Sequence, residues 1–192
     1  VFIWSSLMNL FELKQNFKSG LITKQDYLKK MHQIHEILYE YSNFLKDTDI
    51  AAIELTDSSV VMTTRRAGIK LLCDKDDFRI VPIEILNLSD YESDELFMIM
   101  KLINENYGAN PVILDIGANI GWYSLNLSKM FRNAHIYAFE PIPKTYHYLL
   151  NNLELNNIHN VETFNFGFSN EEKEVYFYYY KEGSGNASLV NV

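Results

Sequence analysis

The feature that most constrains the fold is a short apolar strand that runs directly into a glycine turn and a helix. The strand is predicted over residues 112–116 and contains one carboxylate, Asp115. Gly117 and Gly121 follow it, and a helical pattern begins immediately afterwards. Glycine accepts the backbone conformations of a tight turn and lets a ligand approach the main chain. In α/β proteins such a turn lies at the carboxyl edge of a parallel sheet, where ligands bind.

A second strand and a second acid complete a βαβ unit. The apolar run of residues 136–139 ends in Glu140, and a third strand is predicted over residues 161–166, with Asn165 near its end. Parallel strands joined by helices place their carboxyl ends at one edge of the sheet. The sequence therefore predicts an α/β fold with a Rossmann-like sheet that carries the polar groups of a nucleotide-cofactor site.

The glycine positions distinguish between two classes of cofactor. A dinucleotide fingerprint needs glycine at the first, third and sixth positions of its turn, which are occupied here by Gly117, Asn119 and Trp122. The first position fits, and asparagine accepts the left-handed backbone of a turn, but an indole at the sixth obstructs close packing of helix on strand. The turn therefore suits a cofactor without a pyrophosphate, such as S-adenosylmethionine, better than NAD.

Several motifs resemble those of the FkbM family of S-adenosylmethionine-dependent methyltransferases. They occupy residues 115–124, 137–141, 149–156, 160–161, 165–169 and 185–189. The resemblance implies a class I methyltransferase sheet and O-methylation of a hydroxyl on a sugar or natural-product acceptor. That family usually continues into a further strand with an acidic motif, which this sequence does not reach. The resemblance thus implies a sheet that is incomplete at its C-terminus, with the acidic residues of the acceptor pocket beyond Val192.

Six residues are candidates for contact with this cofactor: Asp115, Gly117, Asn119, Gly121, Glu140 and Asn165. Gly117 lets the aminoacyl group lie against the backbone, and Asp115 can attract its ammonium group. The amides that open the following helix suit a carboxylate. Glu140 can accept hydrogen bonds from both ribose hydroxyls, and Asn165 can read the adenine edge. A purely structural role is the alternative for Asp115, Glu140 and Asn165, and no residue is identified as the catalytic base.

The composition restricts which kinds of protein this chain can be and which partners it can bind. Lys and Arg total 17 against 25 Asp and Glu, so the net charge is −8, and a nucleic-acid partner, which needs a basic surface, is not expected. The single cysteine, Cys73, excludes an intramolecular disulfide, and the five histidines lack ligand spacing, so no metal site is expected. No apolar run is long enough to span a bilayer. These features indicate a cytoplasmic protein, and the resemblance to the FkbM family implies a small-molecule or glycan acceptor.

Three regions are expected along the chain. Residues 1–48 form a helical region, interpreted as a packed hairpin, with a substrate-gating or dimerising cap as the alternative. Residues 49–109 form a small β-rich region that ends in a lead-in helix. Residues 110–192 form the Rossmann-like cofactor-binding domain, in its first half.

Local signals place the elements of the first two regions. Thr23 is predicted to cap a helix of about six turns. The charged segment at residues 74–77 is expected to be an exposed loop, and the lead-in helix is expected over residues 91–106. The β-rich region is predicted to have strands near residues 53–55, 60–64 and 69–73.

Two further functions and one structural expectation remain open. A Rossmann oxidoreductase that uses NAD is weakened by the missing glycines, and a non-catalytic cofactor-binding or interaction protein is the third possibility. The aromatic run at residues 175–180 has strand propensity. If the sheet contains only these strands, the edge at residues 112–116 is exposed. The chain is therefore expected either to be part of a longer protein or to pair with a second copy as a homodimer.

Overall fold

Residues 9–178 are described by the computed structural model, and the chain divides into two units after Lys46. Within the described residues the first unit contains α1 (Leu10–Lys18) and α2 (Lys24–Phe44). Thr23 caps α2, because its Oγ1 accepts a hydrogen bond from the Asp26 amide at 3.1 Å and donates one to the Asp26 carboxylate at 2.7 Å. The 21 residues of α2 make about six turns, so the predicted start and length of this helix are confirmed.

The second unit contains two three-stranded sheets. The first is antiparallel with the order β1–β2–β3, and the second is parallel with the order β4–β5–β6. Among residues 9–178, no helix is both long and apolar enough to cross a membrane. The elements of this unit follow one another as β1 (Ile50–Leu55), β2 (Val60–Thr64), β3 (Lys70–Leu72), α3 (Val81–Leu88), α4 (Ser93–Asn106), β4 (Val112–Ile116), α5 (Trp122–Met130), β5 (His135–Phe139), α6 (Pro143–Leu155) and β6 (Val161–Phe164).

The antiparallel sheet forms where apolar residues alternate with a period of two. In its middle strand β2, Met62 lies opposite Ile53 of β1 and Leu71 of β3. Met62 and Leu71 are buried, and so is Val61 next to Met62. Because neighbouring side chains of a strand point to opposite faces, the middle strand is covered on both sides at this point. The three strands predicted for this region are confirmed, with small shifts at their ends.

The parallel sheet is connected by α5 and α6, as the βαβ pattern predicted. Ile136 and Ala138 in the central strand β5 are fully buried, and so are Leu125 of α5 and Leu149 of α6. A parallel sheet whose central strand is buried beneath its crossover helices is the α/β Rossmann-like arrangement. The third strand ends earlier than predicted, at Phe164, so Asn165 is the first residue after it.

Helix α3 was not predicted from the sequence. Its isoleucines alternate with Glu84, which mimics the period of a strand, and Pro82 in its first turn resembles a break. The residue at its N-cap, Ile80, makes no capping hydrogen bond through its side chain, so the usual start signal is missing. The helix is held by burial of one face, which consists of Val81, Pro82, Ile85 and Leu86.

The expectation of an exposed loop at residues 74–77 is wrong for its two ends. Asp77 is buried, and its Oδ1 accepts a hydrogen bond from the Arg79 amide at 3.0 Å. Asp74 is half-buried and forms an ion pair with Lys144 of α6. These carboxylates are inside because each has a partner that compensates for lost hydration. Composition alone does not reveal such partners.

One face of β4 is apolar and exposed. Val112, Leu114 and Ile116 alternate along the strand and are 65%, 61% and 62% exposed. Within residues 9–178, β4 pairs with β5 alone. Within these residues β4 is therefore an edge strand, as expected for residues 112–116, and its exposed side chains are apolar.

The strand predicted over residues 175–180 is not formed at residues 175–177, which have irregular backbone. Tyr178, the last described residue of this segment, forms an isolated β-bridge. Residues 179 and 180, and the motif at residues 185–189, lie outside the described part of the chain.

Candidate cofactor-binding site

The predicted site residues meet at the carboxyl edge of the parallel sheet. Asp115 lies near the end of β4, Glu140 follows β5 and Asn165 follows β6. The turn of residues 117–121 joins β4 to α5, and hydrogen bonds connect it to the segment after β5. The six candidate residues, Asp115, Gly117, Asn119, Gly121, Glu140 and Asn165, therefore belong to one local structure.

The backbone of the turn adopts the left-handed conformation at three positions. Gly117, Asn119 and Gly121 have φ angles of 83°, 50° and 96°. Asparagine is one of the few residues with a side chain that accepts this conformation, which is why the turn forms with a single non-glycine among the three. The amides of Gly117 and Ala118 both donate to the Phe139 carbonyl at 2.9 Å, and this ties the turn to the end of β5.

The two glycines of the turn have different surroundings. A Cβ atom on Gly117 would meet nothing within 4 Å, so the backbone there is open to a ligand. A Cβ atom on Gly121 would lie 2.7 Å from Cδ1 of Leu149, which is far too close. Gly121 is also the N-cap of α5. Gly117 thus provides access to the main chain, whereas Gly121 allows α5 and α6 to pack closely.

Glu140 connects its own segment to the turn. Its Oε2 accepts a hydrogen bond from the Asn119 amide and its Oε1 one from the Ile142 amide, both at 2.9 Å. Burial raises the pKa of this carboxyl, the two amide hydrogen bonds oppose the rise, and the nearby charge of Asp115 adds to it. Because a carboxylate oxygen has two acceptor positions, both oxygens can accept a further hydrogen bond from a ligand.

Asp115 holds the first turn of α5. Its Oδ2 accepts hydrogen bonds from the Ser124 hydroxyl at 2.6 Å and from the Ser124 amide at 3.1 Å. Burial raises the pKa of Asp115, and both hydrogen bonds from Ser124 oppose the rise. The sequence did not identify Ser124 as part of the site. Its position in the third residue of the helix, where an amide needs an acceptor, is the signal that indicates it.

Asn165 is exposed, and its side chain also contacts the main chain. Its Nδ2 donates to the Glu140 carbonyl at 2.8 Å, so the amide joins the ends of β5 and β6. Phe166 and Phe168 lie next to it, are about half exposed, and pack on the ring of Phe139 with centroid distances of 5.4 and 4.8 Å. These exposed rings provide an apolar surface at the same edge.

Tyr123 also joins the site to a neighbouring element. Its hydroxyl donates to Glu92 Oε2 at 2.8 Å, and the ring of Trp122 packs edge-on against Tyr91. Burial is the main cause that raises the pKa of Tyr123, and the hydrogen bond to Glu92 adds to it. The segment before α4 is therefore fastened to the first turn of α5 by two adjacent aromatic residues.

S-adenosylmethionine fits the chemistry of these residues. Within the described part of the chain, Asn119 Oδ1 is a buried acceptor without a hydrogen-bond partner, which is costly unless a donor reaches it. Gly117 leaves its backbone open, and Asp115 and Glu140 supply negative charge and acceptors. The cofactor has donors for these groups in its ammonium and ribose hydroxyls, and its carboxylate suits the amides that open α5.

Comparison with known proteins gives matches to transferases. The model of the family described as "TRM5/TYW2 methyltransferase domain" matches residues 77–174. The methyltransferase sdnD of Sordaria araneosa is 38% identical over 86 residues, which are 44% of this chain and 33% of that protein. A tRNA(Phe) (4-demethylwyosine(37)-C(7)) aminocarboxypropyltransferase of Methanocaldococcus jannaschii is 40% identical over 52 residues, which are 27% of this chain and 21% of that protein.

A similar solved structure is that of TYW2 from P. horikoshii in complex with MeSAdo. The TM-score is 0.41 and the identity 21%, with 59% of this chain and 38% of that chain covered. The chain spans about a third or less of the length of the curated relatives it matches.

Proposed function

This chain belongs to the family described as "TRM5/TYW2 methyltransferase domain", and we propose that it transfers the methyl group of S-adenosylmethionine to a hydroxyl group on a sugar or natural product. Its fold is that of the class I S-adenosylmethionine-binding methyltransferases. The observation that carries the proposal is the combination of an open glycine backbone at Gly117 with the buried Glu140 carboxylate, which holds the adjacent amide of Asn119.

Each side chain has a separate role in this proposal. Glu140 accepts hydrogen bonds from the ribose hydroxyls with the acceptor positions that its two backbone partners leave. Asp115 attracts the ammonium group, and Gly117 admits the aminoacyl chain. Asn165 and the exposed phenylalanines lie on the adenine side.

The bound cofactor supplies a methyl group that its sulfonium already activates, so the protein needs mainly to orient the acceptor, exclude water and remove one proton. We assign no general base.

Several features support a small acceptor. The net charge of −8 disfavours a polyanionic substrate, because binding nucleic acid relies on cationic contacts to phosphates. The FkbM-like motifs from Asp115 onward imply that an oxygen atom accepts the methyl group. The location of the protein is a separate matter, and the single cysteine agrees with a cytoplasmic one. The acceptor must reach the same edge of the sheet as the cofactor.

RNA modification is a second candidate, and it is favoured by the relative from Methanocaldococcus jannaschii. That protein is named an aminocarboxypropyltransferase that acts on tRNA. In this candidate function the chain, within its complete protein, would transfer a different group of the same cofactor to a tRNA base.

Two isotopic labels distinguish these possibilities. The complete protein that contains this chain is incubated with S-adenosylmethionine labelled either in the methyl group or in the carboxyl group, and with either hydroxylated small molecules or tRNA. We expect label from the methyl group alone, in a small molecule. Label from the carboxyl group in tRNA would establish the second candidate instead. A protein that binds the cofactor but transfers neither label would be the non-catalytic binding protein.

The choice of cofactor is tested by calorimetry. Because Asn119 and Trp122 occupy two of the three positions at which a dinucleotide turn needs glycine, we expect binding of S-adenosylmethionine or its demethylated product and no binding of NAD. Micromolar affinity for NAD without a response to S-adenosylmethionine would contradict the methyltransferase proposal and favour an oxidoreductase.

A further inference from the structure

We propose that Asn152 of α6 is a positioning residue that fixes the cofactor turn from behind. Its side chain is fully buried and bonds two separate elements. Its Oδ1 accepts a hydrogen bond from the Leu72 amide at 2.9 Å, and its Nδ2 donates one to the Ile120 carbonyl at 2.9 Å. The inference rests on the proposed function, because it assigns Asn152 to the support of that same site.

The first of these bonds anchors Asn152 to the antiparallel sheet. Leu72 lies in β3, which pairs with β2 on one side. On the other side, side chains of α6 take the place of a further strand. Asn152 bonds the Leu72 amide, and Asn156 bonds both the amide and the carbonyl of Lys70 at 2.9 and 2.7 Å. Residues four apart lie on one helix face, so the two asparagines cover the edge of β3 together.

The second bond distinguishes Asn152 from Asn156. The donor groups of Asn156 bond Lys70 and the main chain of Asn152. The donor group of Asn152 instead bonds Ile120, which lies between the left-handed residues Asn119 and Gly121. A fixed Ile120 carbonyl fixes the orientation of the peptide that joins it to Gly121.

A second contact from α6 acts on the next residue of the turn. Leu149 lies three residues before Asn152 and is fully buried, and its Cδ1 occupies the space beside the Cα of Gly121. The same face of α6 therefore holds two consecutive residues of the turn, one by packing and one by a hydrogen bond. The amide of Asn119, which bonds Glu140, lies directly before this braced segment.

Loss of the Asn152 donor should loosen the turn without removing a group that touches the cofactor. The Ile120 carbonyl would be left buried and without its partner, and the peptide could rotate to find another donor. The amides that open α5 would then be less well oriented toward an anionic group of the cofactor. The antiparallel sheet would keep its anchor as long as the acceptor at position 152 remained.

The substitution Asn152→Asp separates the two bonds, and Asn156→Asp is its matched control. Each variant keeps the acceptor for β3, replaces an amide donor by a carboxylate oxygen, and lies on the same face of α6. Only the first places that oxygen against the Ile120 carbonyl. Amide hydrogen exchange of residues 117–121 is measured without ligand, and the dissociation constant of S-adenosylmethionine is measured by calorimetry.

We expect exchange in the turn to accelerate about tenfold or more in Asn152→Asp and about twofold or less in Asn156→Asp. The dissociation constant should rise about tenfold or more in the first variant and remain within about threefold in the second. Equal effects of the two substitutions on exchange and affinity would overturn the proposal, because α6 would then act through global stability alone.

Two alanine substitutions, together with hydrogen exchange measured without cofactor, separate the role of Asn152 from a failure to fold and from the proposed function. If Asn152→Asp does not fold, Asn152→Ala and Asn156→Ala are compared instead. Both remove the side-chain hydrogen bonds to β3 without adding a charge, but only Asn152→Ala also frees the Ile120 carbonyl, so the same contrast in the turn is expected. The exchange rates report on the turn in the absence of cofactor, so they decide the role of Asn152 independently. If the two variants show the exchange contrast but the wild-type protein binds no S-adenosylmethionine, the proposed function is contradicted and the role of Asn152 in fixing the turn is still supported.

Discussion

At the residue scale, the two carboxylates of the site combine a structural and a binding task. Asp115 bonds the hydroxyl and amide of Ser124, and Glu140 bonds the amides of Asn119 and Ile142. The structural contacts therefore place both groups at the sheet edge before any ligand arrives. A preorganised acceptor loses less freedom on binding than one that must be ordered by the ligand.

Replacing Glu140 should weaken cofactor binding. Glu140→Ala removes the proposed hydrogen bonds to the ribose, each of them about 1.5–3 kcal/mol, so the dissociation constant measured by calorimetry should rise at least about tenfold. Unfolding should also become easier, because the amides of Asn119 and Ile142 lose their acceptor. Glu140→Gln keeps the shape of the side chain and one of its two acceptor oxygens, so it tests the loss of the charge together with one acceptor. An unchanged dissociation constant in folded Glu140→Ala would make Glu140 purely structural.

Cofactor affinity should fall as the pH is lowered. Burial raises the pKa of Asp115 above the ordinary range of an aspartate, so it becomes protonated at a higher pH than an exposed carboxyl and then no longer attracts the ammonium group. Calorimetry across the acidic range should show this loss. Asp115→Asn should reduce it to the part that Glu140 contributes, while the amide oxygen of the new side chain accepts from Ser124 in place of Oδ2. A wild-type profile identical to that of Asp115→Asn would exclude this role.

The same shift has the opposite effect on folding. Because the pKa of Asp115 is higher in the folded than in the unfolded chain, the folded chain binds the proton more tightly. The contribution of this group to the free energy of unfolding is fully present below the unfolded pKa and is lost as the pH rises through the folded pKa. Affinity and stability should therefore change in opposite directions with pH in the interval between the two values.

At the element scale, the two glycines of the turn should respond differently to the same substitution. Gly121→Ala combines a left-handed backbone, which costs about 1–2 kcal/mol, with overpacking against Leu149, which costs about 1–3 kcal/mol. Gly117→Ala meets the backbone cost alone, since nothing lies within 4 Å of its Cβ, but it occupies the proposed ligand space. Chemical denaturation should show the larger loss of stability for Gly121→Ala.

Binding provides the complementary comparison for this pair. Gly117→Ala should lose cofactor affinity beyond what its small loss of stability explains. Gly121→Ala should recover part of its stability when Leu149→Ala is added, because the second change removes the atom that the new methyl group meets. Equal destabilisation by both glycine substitutions would contradict the assigned packing role of Gly121.

The elements that follow from local signals were predicted, and those that depend on distant partners were not. The βαβ unit and the Thr23 cap carry their own evidence in periodicity, glycine spacing and side-chain chemistry. Helix α3 has no capping side chain at Ile80 and is stabilised by burial. Asn152 and Asn156 look like exposed helix residues in the sequence, and only the edge of β3, some 80 residues away in the chain, explains why they are inside.

In the candidate site, too, some features follow from the local sequence and others depend on partners that are distant in the chain. The residue types and the left-handed Asn119 follow from the turn sequence, whereas the partners of Asp115, Glu140 and Asn165 required the coordinates. Asn165 was predicted to contact adenine; the hydrogen bond from its amide nitrogen to the Glu140 carbonyl is an additional contact that the sequence did not predict. A side chain near a strand end has several main-chain groups within reach, so its residue type alone does not determine its partner.

At the scale of the whole molecule, the exposed face of β4 should govern self-association. Leu114 is 61% exposed at the middle of this strand, between two further exposed apolar residues. Exposed apolar edge strands pair with other chains unless charges or cover prevent it. We therefore expect the 192-residue chain to associate with increasing concentration in sedimentation velocity experiments, and Leu114→Lys to shift it toward the monomer.

The matched control is Leu55→Lys in β1, which lies at the edge of the antiparallel sheet. Leu55 is 66% exposed, so the substitution adds the same charge at a similar exposure. In β1, however, the adjacent Glu54 forms an ion pair with Lys70 at 2.9 Å, and such charges already oppose edge pairing. Association should therefore persist in Leu55→Lys and disappear in Leu114→Lys, with circular dichroism confirming that both variants fold. If the wild-type chain stays monomeric at all concentrations, the apolar face of β4 is stable when exposed to solvent. The homodimer expected across this edge would then be excluded.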